Sequence, residues 1–143
     1  MTRINTVPVE CLSDKHLLAE YRELPRIFTV VAKIYDSGKS LPTDIPPNYK
    51  LGSGHVKFFY NKLTWLITRY KLLFGELIKR EFNMDTDMYH SIKWSAAKLL
   101  SGAGQRNDWN PSPEDMYLNM ARLAKRATNM PLVTEELNVR DDI

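Results

Sequence analysis

The first 26 residues, MTRINTVPVECLSDKHLLAEYRELPR, concentrate groups that can do chemistry: Thr2, His16, Glu20, Arg22, Glu23 and Arg26. A small residue behind the initiator permits removal of Met1, which makes Thr2 the bearer of the free α-amine. Such an amine has an ordinary pKa of about 7.7–8.0, against about 10.4 for a lysine. A useful fraction is therefore neutral near pH 7 without any burial. Neutral amines attack electrophilic carbons and form Schiff bases. A neighbouring carboxylate stabilises the developing cation and moves protons, and Glu23 is the candidate for that part.

These groups need an element to position them. Leu17, Tyr21, Leu24, Phe28, Val31 and Tyr35 recur at three- and four-residue spacing, which predicts a helix from Ser13 to Asp36 with Ser13 as N-cap. Pro25 removes one backbone donor inside it and should kink or break it there. At about 100° per residue, with Leu17 toward the core, Arg22 and Arg26 point outward as i, i+4 neighbours. His16, Glu20 and Glu23 then share a flank between core and solvent. The same pattern fits a solvated amphipathic helix with weak surface ion pairs among Glu20, Arg22, Glu23 and Arg26. On that reading His16 is a structural histidine and Arg3 an ordinary surface residue. Pattern alone leaves both readings open.

The stretch DSGKSLPTDIPPNYKLGSG reads as a connecting loop. A second helix is expected from His55 to about Arg80. Its apolar residues span most of the circumference, so it should be the central helix, packed on more than one side. Residues 83–110 are ambiguous, with DMYHSIKWSAAKLLSG able to form a short helix. Ser112, Pro113 and Asp115 form a helix start with Asp in place of the usual Glu. Met116, Met120, Leu123, Ala127 and Met130 give the third main helix its apolar face, and Arg122, Lys125 and Arg126 form a basic strip that could equally be a solvated face. The expected fold is all-α, a compact single domain of three main helices, over residues 1–134, followed by an acidic tail at 135–143.

At 143 residues the chain can bury one sizeable core. No apolar run reaches the roughly 18 residues of a membrane span, and charged residues interrupt any leader-like run before Ile27. Cys11 is the only cysteine, which excludes an intrachain disulfide and disfavours a structural zinc site. A cytoplasmic location is expected. The net charge is +3, yet the last nine residues hold four acids and one base, leaving 19 bases against 13 acids in residues 1–134. A basic body suits a polyanionic partner without proving one.

Three blocks carry a family resemblance: MTRIN at the start, HLLAEYRELPR at 16–26 and LGSGHVKFFYNKL at 51–63. Together they resemble the phage and algal-virus pyrimidine-dimer DNA glycosylases known as endonuclease V. LIKREFN at 77–83 is similar to that family, and RNDWNPSPE at 106–114 and ARLAKR at 121–126 are so more loosely. The similarity covers most of residues 1–130, with weak stretches at 28–50 and 84–105. The resemblance implies a compact three-helix fold that acts on UV-induced cyclobutane dimers in duplex DNA. The N-terminal amine attacks C1′ of the 5′ nucleotide of the dimer, an imine forms, and β-elimination nicks the strand. Neither metal nor organic cofactor is implied. By position, Thr2 matches the nucleophile and Glu23 the catalytic carboxylate. Arg3, Arg22, Arg26 and Arg122 match DNA-contacting arginines, His16 matches a histidine near the active centre, and Arg126 stands where the family has lysine. The expected partner is damaged double-stranded DNA, and the expected state is a monomer.

One departure bears on the substrate. The family ends in an aromatic–lysine run of the type WYKYYGK that lies against the DNA near the lesion, whereas TNMPLVTEELNVRDDI has no aromatic residue and is acidic. Stacking on aromatic side chains contributes about 1–3 kcal/mol per base. Trp109 and Tyr117 could compensate, or could simply pack. The leading expectation is a pyrimidine-dimer glycosylase with AP-lyase activity. The alternatives are the same imine chemistry on abasic sites or another damaged base, and a non-catalytic DNA-binding relative.

Overall fold

The computed structural model describes residues 2–100 and 108–128, with side chains followed through Lys125. It is all-α, with no β-strand among the described residues. An extended N-terminal segment leads through a 3₁₀ turn, Val9–Cys11, into helices α1 (Asp14–Glu23) and α2 (Pro25–Asp36). A long loop follows, then one short turn, α3 (His55–Phe58), and the long α4 (Leu63–Lys79). Helices α5 (Thr86–Leu99) and α6 (Pro113–Thr128) complete the described fold.

The expected first helix is divided where the sequence says it should be. Pro25 occupies the first turn of α2, and Leu24 keeps right-handed helical dihedrals at φ −54° and ψ −42°. The interruption is thus a missing backbone donor with the chain still helical on both sides. The expected second helix is also divided. Its first turn stands apart as α3, and Lys62, at φ −123° and ψ 41°, is not helical. The ambiguous stretch forms a full helix, α5, whose start is capped by the Asp85 carboxylate accepting from the Met88 N–H. Both predicted caps form. Ser13 accepts from the His16 N–H. Ser112 Oγ accepts from the Asp115 N–H at 3.1 Å while the Asp115 carboxylate accepts from the Ser112 N–H at 3.0 Å.

Helix α4 is central, packing against α1, α5 and the 3₁₀ turn. Leu63, Leu66, Tyr70, Leu73 and Leu77 are buried, and Leu72 and Ile78 face outward. An aromatic seam binds α4 to its neighbours: Tyr21 of α1 stacks on Tyr70 at 4.9 Å, and Tyr89 of α5 stacks on Phe74 at 3.7 Å. Trp109 packs among Tyr49, Phe58, Phe59 and Trp65, so it serves the interior, whereas Tyr117 is exposed. On α6 the inward residues are Leu123 and Asn119, while Met120 is exposed. The acidic tail at 135–143 lies outside the described residues.

Candidate active site

The N-terminal segment has no regular structure and still runs through the interior: Thr2 and residues 4–7 are all buried. A buried backbone without a helix or sheet must find side-chain partners. Four N–H groups do so. Arg3 N–H donates to Glu23 Oε1 at 3.1 Å, and Ile4 N–H to His55 Nε2 at 2.8 Å. Thr6 and Val7 N–H donate to Asn119 Oδ1 at 2.7 and 3.3 Å. Two carbonyls accept in turn: Ile4 from the Tyr49 hydroxyl at 3.0 Å, and Val7 from the Arg69 guanidinium at 2.7 Å. The segment is held in register by α1, α3, α4, α6 and the loop before α3.

Beneath it lies a buried polar network. Glu20 is 1 % exposed and accepts from Arg69 Nε at 2.7 Å, Arg69 Nη2 at 3.0 Å and Asn5 Nδ2 at 2.8 Å. Asn5 Oδ1 accepts from Asn119 Nδ2 at 2.7 Å and Arg122 Nη2 at 3.0 Å. The flank of α1 that the wheel set between core and solvent is therefore roofed by residues 2–7. This corrects the expectation of Glu20 as a member of surface pairs: it is the acid of an interior ion pair with Arg69. Each of these three contacts to its oxygens comes from a donor, as a buried carboxylate requires.

His55 connects two elements. Its Nε2 accepts from Ile4, which places the proton on Nδ1, donated to the Lys50 carbonyl at 2.7 Å. Burial, with Arg122 and Arg3 nearby, lowers its pKa to about 4 against the opposing bond to Lys50, so the ring is neutral near pH 7. Burial raises the Tyr49 phenol well above its usual range, which keeps it a donor to Ile4. Gly54, at φ 89°, turns the chain into α3. A Cβ there would meet Pro46 at 3.2 Å and Lys50 at 3.3 Å, so both the dihedral and the space favour glycine.

Above the segment opens a cleft of about 650 Å³ lined by Thr2, Arg3, His55, Arg122 and the loop from Lys50 through Lys57. Its cations are Arg3, Lys50, Lys57 and Arg122, and its one acid, Asp44, pairs with Lys57 at 3.0 Å. The cleft is thus an anion-receptive concavity with the first residues of the chain in its wall. Among the described residues no group of His, Cys, Asp and Glu is arranged to hold a metal ion.

The structure brings Thr2, Arg3 and Arg122 into the cleft wall, with Glu23 joined to it through the Arg3 N–H. Arg22 and Arg26 are exposed on α1 and α2 and do not line the cleft. His16 is buried with its Nδ1 at 3.1 Å from Ser13 Oγ, and it too lies outside the cleft wall. The Arg126 side chain lies outside the described residues. Sequence reasoning passed over His55, Asn119, Asn5 and Arg69, which hold the segment. His55, directly after GSG, and Asn5, the last residue of MTRIN, stood in resembling blocks. No helix is long and apolar enough to cross a membrane among the described residues. A family model described as pyrimidine dimer DNA glycosylase matches residues 1–90, which takes in the segment, the α1 carboxylates and the loop to His55.

Proposed function

The chain belongs to the pyrimidine dimer DNA glycosylase family, a family of DNA-repair glycosylases, and on that premise we propose that it cleaves lesion-bearing duplex DNA through an imine on Thr2. The observation that carries this reading is the Glu23–Arg3 hydrogen bond of 3.1 Å, which holds a carboxylate one residue along the backbone from Thr2, a residue in the wall of the cationic cleft. Removal of Met1 frees that amine. Its neutral form attacks C1′ of the sugar at the lesion, and the C1′–N glycosidic bond breaks with its electron pair leaving on the base. The attached amine sheds one proton, and O4′ leaves C1′ with its electron pair and takes up a proton as the sugar ring opens, leaving a C1′=N iminium that keeps the other N–H. Loss of the C2′ proton then expels the 3′ phosphate by β-elimination, and water releases the enzyme from the nicked product. Glu23 stabilises the cation at nitrogen and carries protons between these steps. Arg3 and Arg122 bind the flanking phosphates, and Arg22 and Arg26 extend the basic surface along the duplex. A dimer already weakens local pairing, so drawing its sugar into the cleft costs less than for intact DNA.

A second reading follows from the C-terminus. Residues 128–143 contain no aromatic side chain to lie against a dimer. The same imine chemistry would then act on abasic sites or another damaged base. Borohydride trapping decides between them, using protein whose mass confirms loss of Met1 and parallel UV-dimer, abasic and undamaged duplexes. An adduct on the dimer duplex supports the first reading. An adduct on the abasic duplex alone supports the second. No adduct on either leaves a DNA-binding relative without catalysis.

A further inference from the structure

A second concavity, of about 670 Å³, lies between α4 and α5 and shares no lining residue with the cleft. Its walls are Ile67 and Lys71 of α4, and His90, Lys93, Trp94 and Ala97 of α5. Ile67 and Lys71 each lie two residues from Arg69, so they fall on the opposite side of α4 from the guanidinium that serves the N-terminal network. Trp94 is 65 % exposed, and Lys98 Nζ stands 4.2 Å from its ring centroid. The groove thus joins a large exposed indole to Lys71 and Lys93, with Lys98 over one face of the indole, and none of its lining residues is acidic.

An indole offers a π-face to any base, and flanking ammonium groups follow a phosphate backbone without reading sequence. An acidic peptide would use the lysines and leave the indole without a planar partner. We propose that the α4–α5 groove is a binding site for an unpaired DNA strand, with a base stacked on Trp94 and adjoining phosphates on Lys71 and Lys93. This inference rests on the DNA-repair reading above and adds a second DNA contact outside the reaction cleft. Its occupant is a single strand because a base inside a duplex has both faces covered by its neighbours.

The test is fluorescence anisotropy of labelled oligothymidylate about twelve nucleotides long, within the usual range of single-strand site sizes, on the full chain. Trp94→Ala should weaken binding about 5- to 150-fold, the range for loss of one stacked base. Trp94→Phe should restore part of it. Lys71→Gln with Lys93→Gln should flatten the slope of log K against log salt by about 1.4, from roughly 0.7 per single-strand phosphate contact. Borohydride trapping on a lesion-bearing duplex should stay at the wild-type level in all these variants. Unchanged affinity in Trp94→Ala would overturn the proposal, as would competition by polyglutamate as effective as by unlabelled oligothymidylate. Loss of trapping in the parent protein with the Trp94 effect intact would strike the imine reading and leave the groove standing.

Discussion

The N-terminal segment and the outer face of α1 and α2 both present charged and polar groups, yet they are built in opposite ways. Around the segment the polar groups are interior: Glu20 and Arg69 are paired at 2.7 Å, Asn119 is fully buried, and His55 bridges Lys50 to Ile4. On the helices, Arg22 and Arg26 stand in solvent. Low dielectric makes each interior contact strong and each missing one costly, so the chain near Thr2 has a single place to be. Water weakens any one contact of the arginines and leaves them able to follow a phosphate backbone. A reactive terminus needs the first kind of environment, because an ordinary chain end would be mobile. A surface that binds along DNA needs the second.

The comparison is sharpest at Glu23. Glu23→Gln keeps an acceptor for the Arg3 N–H while removing the charge, so folding should hold and strand cleavage should fall about 10²- to 10⁴-fold, the usual range for a general acid–base group. Single-turnover cleavage beside a urea melt checks both halves, and retained cleavage would remove Glu23 from the chemistry. Next in size, Arg69→Met leaves Glu20 as an uncompensated buried charge and should cost about 3–5 kcal/mol of stability. A loss below roughly 1 kcal/mol, the range of an exposed pair, would mean that the network is no tighter than a surface bridge. His55 makes the clamp sensitive to acid. Its folded pKa of about 4 lies below the ordinary 6.5, so the unfolded chain takes up the proton first. Its contribution is complete above pH 6.5 and drains away as pH falls toward 4, by on the order of 3 kcal/mol at 1.36 kcal/mol per pKa unit. Urea melts of His55→Gln beside wild type across that window should converge at the acid end, and parallel curves would refute this. The smallest effect belongs to the exposed face. Arg22→Ala with Arg26→Ala should leave the melt unchanged and flatten the salt slope of duplex binding by about 1.8, from about 0.9 per phosphate. An unaltered slope would place the phosphate contacts elsewhere.

Much of this was legible in the chain. The apolar spacing of Leu17, Tyr21, Leu24, Phe28, Val31 and Tyr35 marks a buried stripe; the first five are buried and Tyr35 is partly buried against the core. Pro25 marks the helix boundary, and Ser13 and Ser112 mark the starts of two helices. These are local signals, written within one turn of the residues they govern. The division between α3 and α4 was less visible, because Phe58, Phe59 and Leu63 keep their apolar pattern through the break. Asn119 was missed for a related reason: it is a polar residue on the inward side of α6, and periodicity counts only apolar positions.

What the sequence determined by itself is the all-α class, the helix starts at Ser13 and Ser112 and the family-matching blocks around Thr2, Glu23 and His55, since these depend on neighbours a few residues away. What only the tertiary structure decided is how residues 2–7 are held. Their partners lie 20 positions along at Glu23, 51 at His55 and 113 at Asn119. An extended segment without helix or sheet carries no periodicity, and its hydrogen bonds are made by side chains from four helices and a loop. No local pattern encodes that closure; it exists once α4 and α6 pack and their buried donors and acceptors find each other across the core.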